Sequence, residues 1–393
     1  MSEAAGDPVE LVRGSQGDTL VLSMRQVADV VGYVAMYEFE DLVLELLGGD
    51  RVAPRSERRL ERGRRAYKAV RVLGGPPRLA RALTPGVGAR RLDRDYDLFL
   101  AVFNHPHELF NLQALADWRP RVRFAACYIC EAWESQLPGY LIELLGAFDH
   151  VFLGVDGACA AVARLSGRPC TYLTMGVDAL RFLPSSPASP RAIDVCGIGR
   201  RSAVTHQALL SWAGKGDRFY YYDTMRRGGR MAATTFHVTD PREHRLLFSN
   251  LLKRSRYFIA NRAWADRPSL TMGKDEIASR FYEGAAAGAV MLGDPPDTDD
   301  FRAQFDWPDA VVRTRFDAPD VGALIDELDA DPHRLERIRR AGVANALRRH
   351  DWSERLQRIL DVAGIQPTPE LLARRRRLEA TAERWSAPMA QVG

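Results

Sequence analysis

The sequence predicts an α/β protein built on doubly wound parallel sheets, and three observations lead there. Short apolar runs alternate with amphipathic stretches of helix length through both halves of the chain. A segment too rich in Pro and Ser to pack, PSSPASP at Pro184–Pro190, interrupts that alternation near the middle. At 393 residues the chain also exceeds what one hydrophobic core usually organises, so two domains are expected.

In the first half, Asp18–Leu22 predicts a strand, Tyr37–Leu47 a helix and Glu57–Val72 a strongly amphipathic helix. Three apolar runs bounded by breakers follow, Tyr96–Phe103, Val122–Ile129 and His150–Val155, and then Cys170–Leu173. Their spacing leaves room for crossover helices, one of them at Asp156–Leu165, which is the signature of a parallel sheet. The pattern restarts after the break. Ala192–Ile198, Phe219–Tyr222, Tyr257–Ala260 and Val311–Val312 read as strands, with a helix at Glu243–Arg254. Residues 321–360 read as continuously helical, and Thr368–Trp385 as a last basic helix.

No run of about 18 apolar residues occurs, so no transmembrane helix is expected. The acidic, polar start MSEAAGDPVELVRG lacks the basic and apolar parts of a secretory signal, and a cytoplasmic location is the simplest expectation. The cysteines Cys127, Cys130, Cys159, Cys170 and Cys196 are scattered through apolar segments and read as buried thiols. The pair at Cys127 and Cys130 has no partner pair with metal-ligand spacing. The formal charge is +4, carried almost wholly by arginine. Basic clusters at Arg55–Arg65 and Arg374–Arg377 are interleaved with Glu and Leu on helices; solvated faces are the first reading, peripheral contact with an anionic membrane surface or acceptor the second. No reader module for nucleic acid accompanies them.

The richest stretch is DEIASRFYEGAAAGAVMLGD, Asp275–Asp294. Ile277, Phe281, Tyr282 and Ala285 recur at helical spacing, Asp275 can cap the start, and Gly288 stops the helix before the apolar run Ala289–Leu292. The helix start near Lys274 and Asp275 would offer amides and a positive dipole end to a diphosphate. Glu283 lies one turn before the stop, where a carboxylate can take both hydroxyls of a ribose. A solvated helix residue is the bland alternative. Upstream, GIGRR follows the strand at Ala192–Ile198: glycines tighten such a turn and an arginine fork suits a diphosphate.

RFYEGAAAGAVMLGD resembles the C-terminal signature of the group 1 glycosyltransferases with the GT-B fold, in particular their CgeB-like branch. TMGVDALRFLP, ending at Pro184, resembles a second hallmark of those enzymes, and His350, Trp352 and Arg355 resemble their C-terminal His-x-Trp-x-x-Arg element. The resemblance implies two Rossmann-like domains facing a cleft: an acceptor domain over 1–184, a donor domain over 191–366, and a tail over 367–393 crossing back to the first.

It also implies transfer of a sugar from a nucleoside diphosphate sugar to an acceptor hydroxyl, with retention, the donor being a cosubstrate and no further cofactor or metal being needed. Glu283 then matches the ribose-binding glutamate and Gly288 the glycine that ends the helix, with Gly284 in the small-residue run between them. The family's sugar-facing acidic residue falls on Asp275, where an aspartate replaces the usual glutamate. The lysine that often follows Gly-Arg is missing, so Arg201, Lys274 or Arg280 would carry its charge beside Gly199.

The candidate catalytic residues are therefore His105, Asp275 and Arg200. His105, His107 and Glu108 follow a central strand, and Glu131 and Trp133 the next; of these, His107, Glu108, Glu131 and Trp133 are the acceptor candidates. Two rival functions stay open: a nucleotide-sugar epimerase or hydrolase, and a non-catalytic GT-B-like subunit that binds a nucleotide or a partner protein.

Overall fold

The computed structural model describes residues 7–84, 90–223, 238–271 and 274–387. The chain forms two compact units. The first takes in the chain through Thr174, a short stretch ending at Pro241, and Arg355–Leu371; the second takes in the chain from Met175, then Arg242–Glu354, then the chain from Leu372.

The sheet of the first unit contains β1 (Val9–Val12), β2 (Thr19–Leu22), β3 (Asp50–Pro54), β4 (Tyr96–Phe103), β5 (Val122–Ile129), β6 (His150–Leu153) and β7 (Cys170–Tyr172), in the order β1-β3-β2-β4-β5-β6-β7. All neighbours run parallel except β1, which pairs antiparallel with β3 at the edge. β4 and β5 are buried along almost their whole length, because helices cover both faces of a parallel sheet and its central strands are apolar runs. The helices α1 (Val34–Leu47) and α2 (Glu57–Val72) lie where the periodicity predicts, α2 capped by Ser56.

β1 and β3 escaped the pattern. β3 opens on Asp50 and Arg51, a polar start that periodicity discards. Asp50 is nonetheless buried: its carboxylate takes Tyr96 Oη at 2.7 Å, Arg13 Nη1 at 2.6 Å and Arg94 Nε at 3.1 Å. Burial pushes that carboxyl up, but these donors prevail and hold it below the ordinary range.

The second unit holds a five-stranded parallel sheet of β8 (Ile193–Gly197), β9 (Tyr220–Tyr222), β10 (Ser255–Ile259), β11 (Val290–Gly293) and β12 (Val312–Arg313), in the order β9-β8-β10-β11-β12. The order reverses between β8 and β10, the switch point at whose carboxyl side ligands bind in open α/β sheets. Around it pack α4 (Ala203–Ala213), α5 (Pro241–Lys253), α6 (Ser279–Ala286), α7 (Val321–Asp329) and α8 (Pro332–Arg349), while α3 (Cys159–Ser166) belongs to the first unit. α9 (Trp352–Ala363) and α10 (Pro369–Ser386) close the chain.

Four local expectations are corrected. The helix of the Asp275–Asp294 stretch starts at Ser279, not beside Asp275: Ala278 is its N-cap, without a side-chain cap bond, and residues 274–278 are irregular. The closing region is three helices rather than one, because Asp331 caps the amide of Arg334 at 2.9 Å ahead of Pro332, and the chain breaks again at His350. Arg374 is not on a solvated face; it is half-buried, donating to Asp351 at 2.7 Å and to Asp178 at 2.6 Å. Cys159 and Cys170 are half-buried, whereas Cys127, Cys130 and Cys196 are buried.

Two of the sequence hallmarks meet in the second unit. Val177 and Asp351 form a parallel bridge, with the Val177 amide on the His350 carbonyl at 2.9 Å and the Trp352 amide on the Val177 carbonyl at 3.1 Å. A Cβ at Gly176 would stand 2.9 Å from the Trp352 ring, which is fully buried. The glycine, the tryptophan and the aspartates of these motifs thus hold the fold.

Candidate functional site

The site of the second unit grows from the turn that follows β8. Gly199 has φ +75°, a left-handed conformation that glycine adopts without strain. Its amide donates to the Asp223 carboxylate at the end of β9. A Cβ there would stand 2.2 Å from Nη2 of Arg280, so the missing side chain is what admits that guanidinium. Arg280, the second residue of α6, donates from Nη2 to the Ile198 carbonyl at 3.1 Å. Burial pulls its pKa below the ordinary guanidinium range, against the opposing fields of Glu283, Asp223 and Asp266.

The two arginines of GIGRR are each held in place. Arg200 lies over the Trp264 ring, 3.4 Å from its centre, and pairs with Asp266 at 3.5 Å. Trp264 itself has φ +56°, a strained backbone for so bulky a residue, of the kind that collects at ligand sites. Arg201 donates to the Asp223 carbonyl at 2.8 Å and lies over Tyr222. Gly197, Ile198, Arg200, Arg201, His206 and Asn261 line a small pocket at this switch point. His206 bonds Tyr220 Oη at 3.0 Å, and burial, then Arg201, holds its imidazole below its usual pKa.

Glu283 is buried, and its Oε1 pairs with Arg245 of α5. Arg245 is buried too, its guanidinium 4.5 Å from the centre of the Phe182 ring. The helix turns the partnership toward the interior: Arg245, Phe248, Ser249 and Leu252 share its buried face. Gly284 and Gly288 serve close packing. A Cβ at Gly284 would meet Met291 at 2.7 Å and Phe258 at 3.0 Å, and one at Gly288, where φ is +60°, would meet Val343 at 2.9 Å. Lys274 and Asp275 precede the helix; Asp275 pairs with Arg262 at 3.0 Å, and Arg262 also pairs with Asp294.

In the first unit, His105 and His107 stack 4.9 Å apart, and the His107 amide donates to Nδ1 of His105 at 3.4 Å. Burial, then Arg64 and Lys68, lowers the pKa of His107. Glu108 is buried. Tyr33 Oη donates to one of its oxygens and the Asn104 amide to the other at 2.9 Å. Burial raises its carboxyl to about 7 despite these bonds. Glu131 is half-buried, its amide on the Asn104 carbonyl at 2.8 Å, and Trp133 is buried.

The structure therefore gathers Gly199, Arg200, Arg201 and Arg280 at one switch point, with Glu283 one turn further along α6 from Arg280. It sets His105, His107, Glu108, Glu131 and Trp133 after β4 and β5 of the other unit. Sequence reading missed Arg245, Asp223, Asp266 and Trp264. An arginine on the apolar spacing 245, 248, 249, 252 was a legible signal for the first; the other three sit in loops, where spacing carries no information.

Each unit is thus built on a doubly wound, mainly parallel sheet, and the arginines gather at the kind of switch point where such sheets bind ligands. Residues 232–361 match the model of a family described as glycosyl transferase-like, a range that contains RFYEGAAAGAVMLGD and His350, Trp352 and Arg355 but not TMGVDALRFLP. No curated protein matches the chain. Similar solved structures include Anabaena Alr3699/HepE in complex with UDP, at 11% identity, covering 89% of this chain and 100% of that one with a TM-score of 0.46. They also include a glycosyltransferase from Rickettsia africae ESF-5, at 10% identity, 91% and 99% coverage and a TM-score of 0.45. An alpha-glucosyltransferase in complex with UDP and a 13-mer DNA aligns at 10% identity, 88% and 99% coverage and a TM-score of 0.49.

Proposed function

We propose that the second unit binds a nucleoside diphosphate sugar at the switch point of β8 and β10 and that the protein transfers its sugar to an acceptor hydroxyl with retention. The observation that carries the reading is the contact of Arg280 with the Gly199 turn, which aims a guanidinium from the start of α6 at the carboxyl end of β8. In this reading Arg280, Arg200, Arg201 and Lys274 take the charge of the diphosphate. Glu283, one oxygen fixed by Arg245, takes the ribose hydroxyls, and Asp275 faces the sugar.

As the glycosidic bond to the diphosphate breaks, negative charge grows on the leaving oxygen, where arginines held in advance by Asp223, Asp266 and Trp264 stabilise it without reorganising. The acceptor oxygen bonds the anomeric carbon on the same face and its proton passes to the departing diphosphate. His105 is assigned to the donor sugar, and His107, Glu108, Glu131 and Trp133 to the acceptor.

The test is thermal stabilisation by UDP, GDP, ADP and dTDP, followed by product analysis of the matching sugar donors with and without acceptor alcohols. Stabilisation by one diphosphate and a product formed only with acceptor support transfer. Product without acceptor supports an epimerase or hydrolase, and binding without turnover a non-catalytic subunit.

A further inference from the structure

In the first unit, α2 packs against a second short helix, Pro77–Ala82, and the pair forms a hairpin with two contrasting faces. The inner face of α2 buries Leu60, Gly63 and Tyr67, and Tyr67 and Arg71 anchor it to Glu143 at 3.1 and 2.5 Å. Arg58, Arg62, Arg65, Ala69 and Val72 follow one another at steps of four and three residues, which places them in one stripe on the opposite face. The stripe is cationic over Arg58, Arg62 and Arg65, with Glu57 exposed at its start and Glu61 half-buried beside it; Arg59 and Lys68 next to it, and Arg78 and Arg81 on the second helix, are exposed as well.

Among the described residues no carboxylate lies within ion-pair distance of Arg58, Arg59, Arg62, Arg78 or Arg81, while Arg65 pairs with Glu61. At the turn end the character changes. Val72 is 71% exposed, Leu73 87%, Leu79 45% and Leu83 58%. A third of the exposed large apolar side chains of the described chain thus sit within twelve residues, beside seven exposed cations. Isolated exposed leucines need no explanation, but four together at the tip of a basic hairpin do.

We propose that this hairpin docks on an anionic lipid surface, with Val72, Leu73, Leu79 and Leu83 entering the headgroup boundary and the arginine stripe lying along the negative interface. The chemistry matches on both counts. Apolar side chains gain by leaving water, and each Lys or Arg near an anionic surface strengthens binding about fivefold at physiological salt. An acidic protein surface would answer the cations but would leave the apolar tip unexplained. The proposal concerns a face of the first unit and stands or falls apart from the donor site.

Co-sedimentation of the full chain with vesicles of 70% phosphatidylcholine and 30% phosphatidylglycerol, against pure phosphatidylcholine, tests it. Binding to the anionic vesicles alone is expected, weakening more than tenfold in Arg58→Glu/Arg62→Glu/Arg65→Glu and also in Leu73→Ser/Leu83→Ser, with unchanged melting temperatures because all of these side chains are exposed. Two results overturn it: no binding to anionic vesicles, or binding that the charge variant loses and the serine variant keeps, which would mark a purely ionic surface suited to an acidic protein.

Discussion

Replacing Gly199 by alanine tests whether the Gly199 turn and Arg280 act as one device. Holding an alanine at φ +75° costs about 1–2 kcal/mol of backbone strain. Its Cβ would also stand 2.2 Å from Arg280 Nη2, the far end of a flexible side chain, so the clash relaxes by moving the guanidinium and losing its bond to the Ile198 carbonyl. That loss adds about 1.5–3 kcal/mol, the usual size for a bond made by a charged group. In an Arg280→Ala background only the strain remains. Equilibrium urea unfolding of wild type, both single variants and the double variant should therefore give a coupling of about 1.5–3 kcal/mol. Additivity within about 0.5 kcal/mol would mean that the turn and the arginine are independent, and would refute the reasoning.

Two further outcomes follow from buried charge. Arg245→Ala leaves Glu283 buried without its cation and should destabilise by about 3–5 kcal/mol in urea, whereas Arg245→Met/Glu283→Met should recover most of that stability. Glu108 rises from the ordinary 4.5 to about 7 in the folded chain, so folding favours its protonated form. Its contribution is whole below about pH 4.5 and is lost as pH rises through 7, about 3 kcal/mol in all. Glu108→Gln should flatten the fall of stability between pH 5 and 8 in urea titrations, leaving the part due to Glu40, whose burial raises it to about 8. An unchanged slope would show that Glu108 does not titrate there.

What the sequence discloses is set by which forces it writes down. Period and burial are written directly: β4 and β5 are apolar runs because both faces of the sheet are covered, and α2 shows its inner stripe of Leu60 and Tyr67 in the spacing alone. β3 was hidden because Asp50 is made tolerable in the interior by Tyr96, Arg13 and Arg94, residues some 37 to 46 positions away that no local window sees. The site divides in the same way. The glycine turn and the helix carrying Arg280 and Glu283 are local motifs, and both could be named from sequence. Asp223, Asp266, Trp264 and Arg245, which hold those groups in place, come from other segments and become visible only when the sheet brings them together. The start of α6 was misjudged because Asp275 has the chemistry of a cap, yet its carboxylate is engaged by Arg262 instead.

The most direct measurement of the central claim is the affinity of the wild type and Glu283→Gln for whichever nucleoside diphosphate stabilises the protein, by isothermal titration calorimetry. Glutamine keeps the shape beside Arg245 and removes the charge that the ribose hydroxyls would address. The account predicts affinity weaker by about 2–3 kcal/mol, some thirty- to more than a hundredfold, with the corresponding nucleoside base unchanged in rank. Equal affinity in the two proteins, with Glu283→Gln still folded at the temperature of the titration, would contradict it.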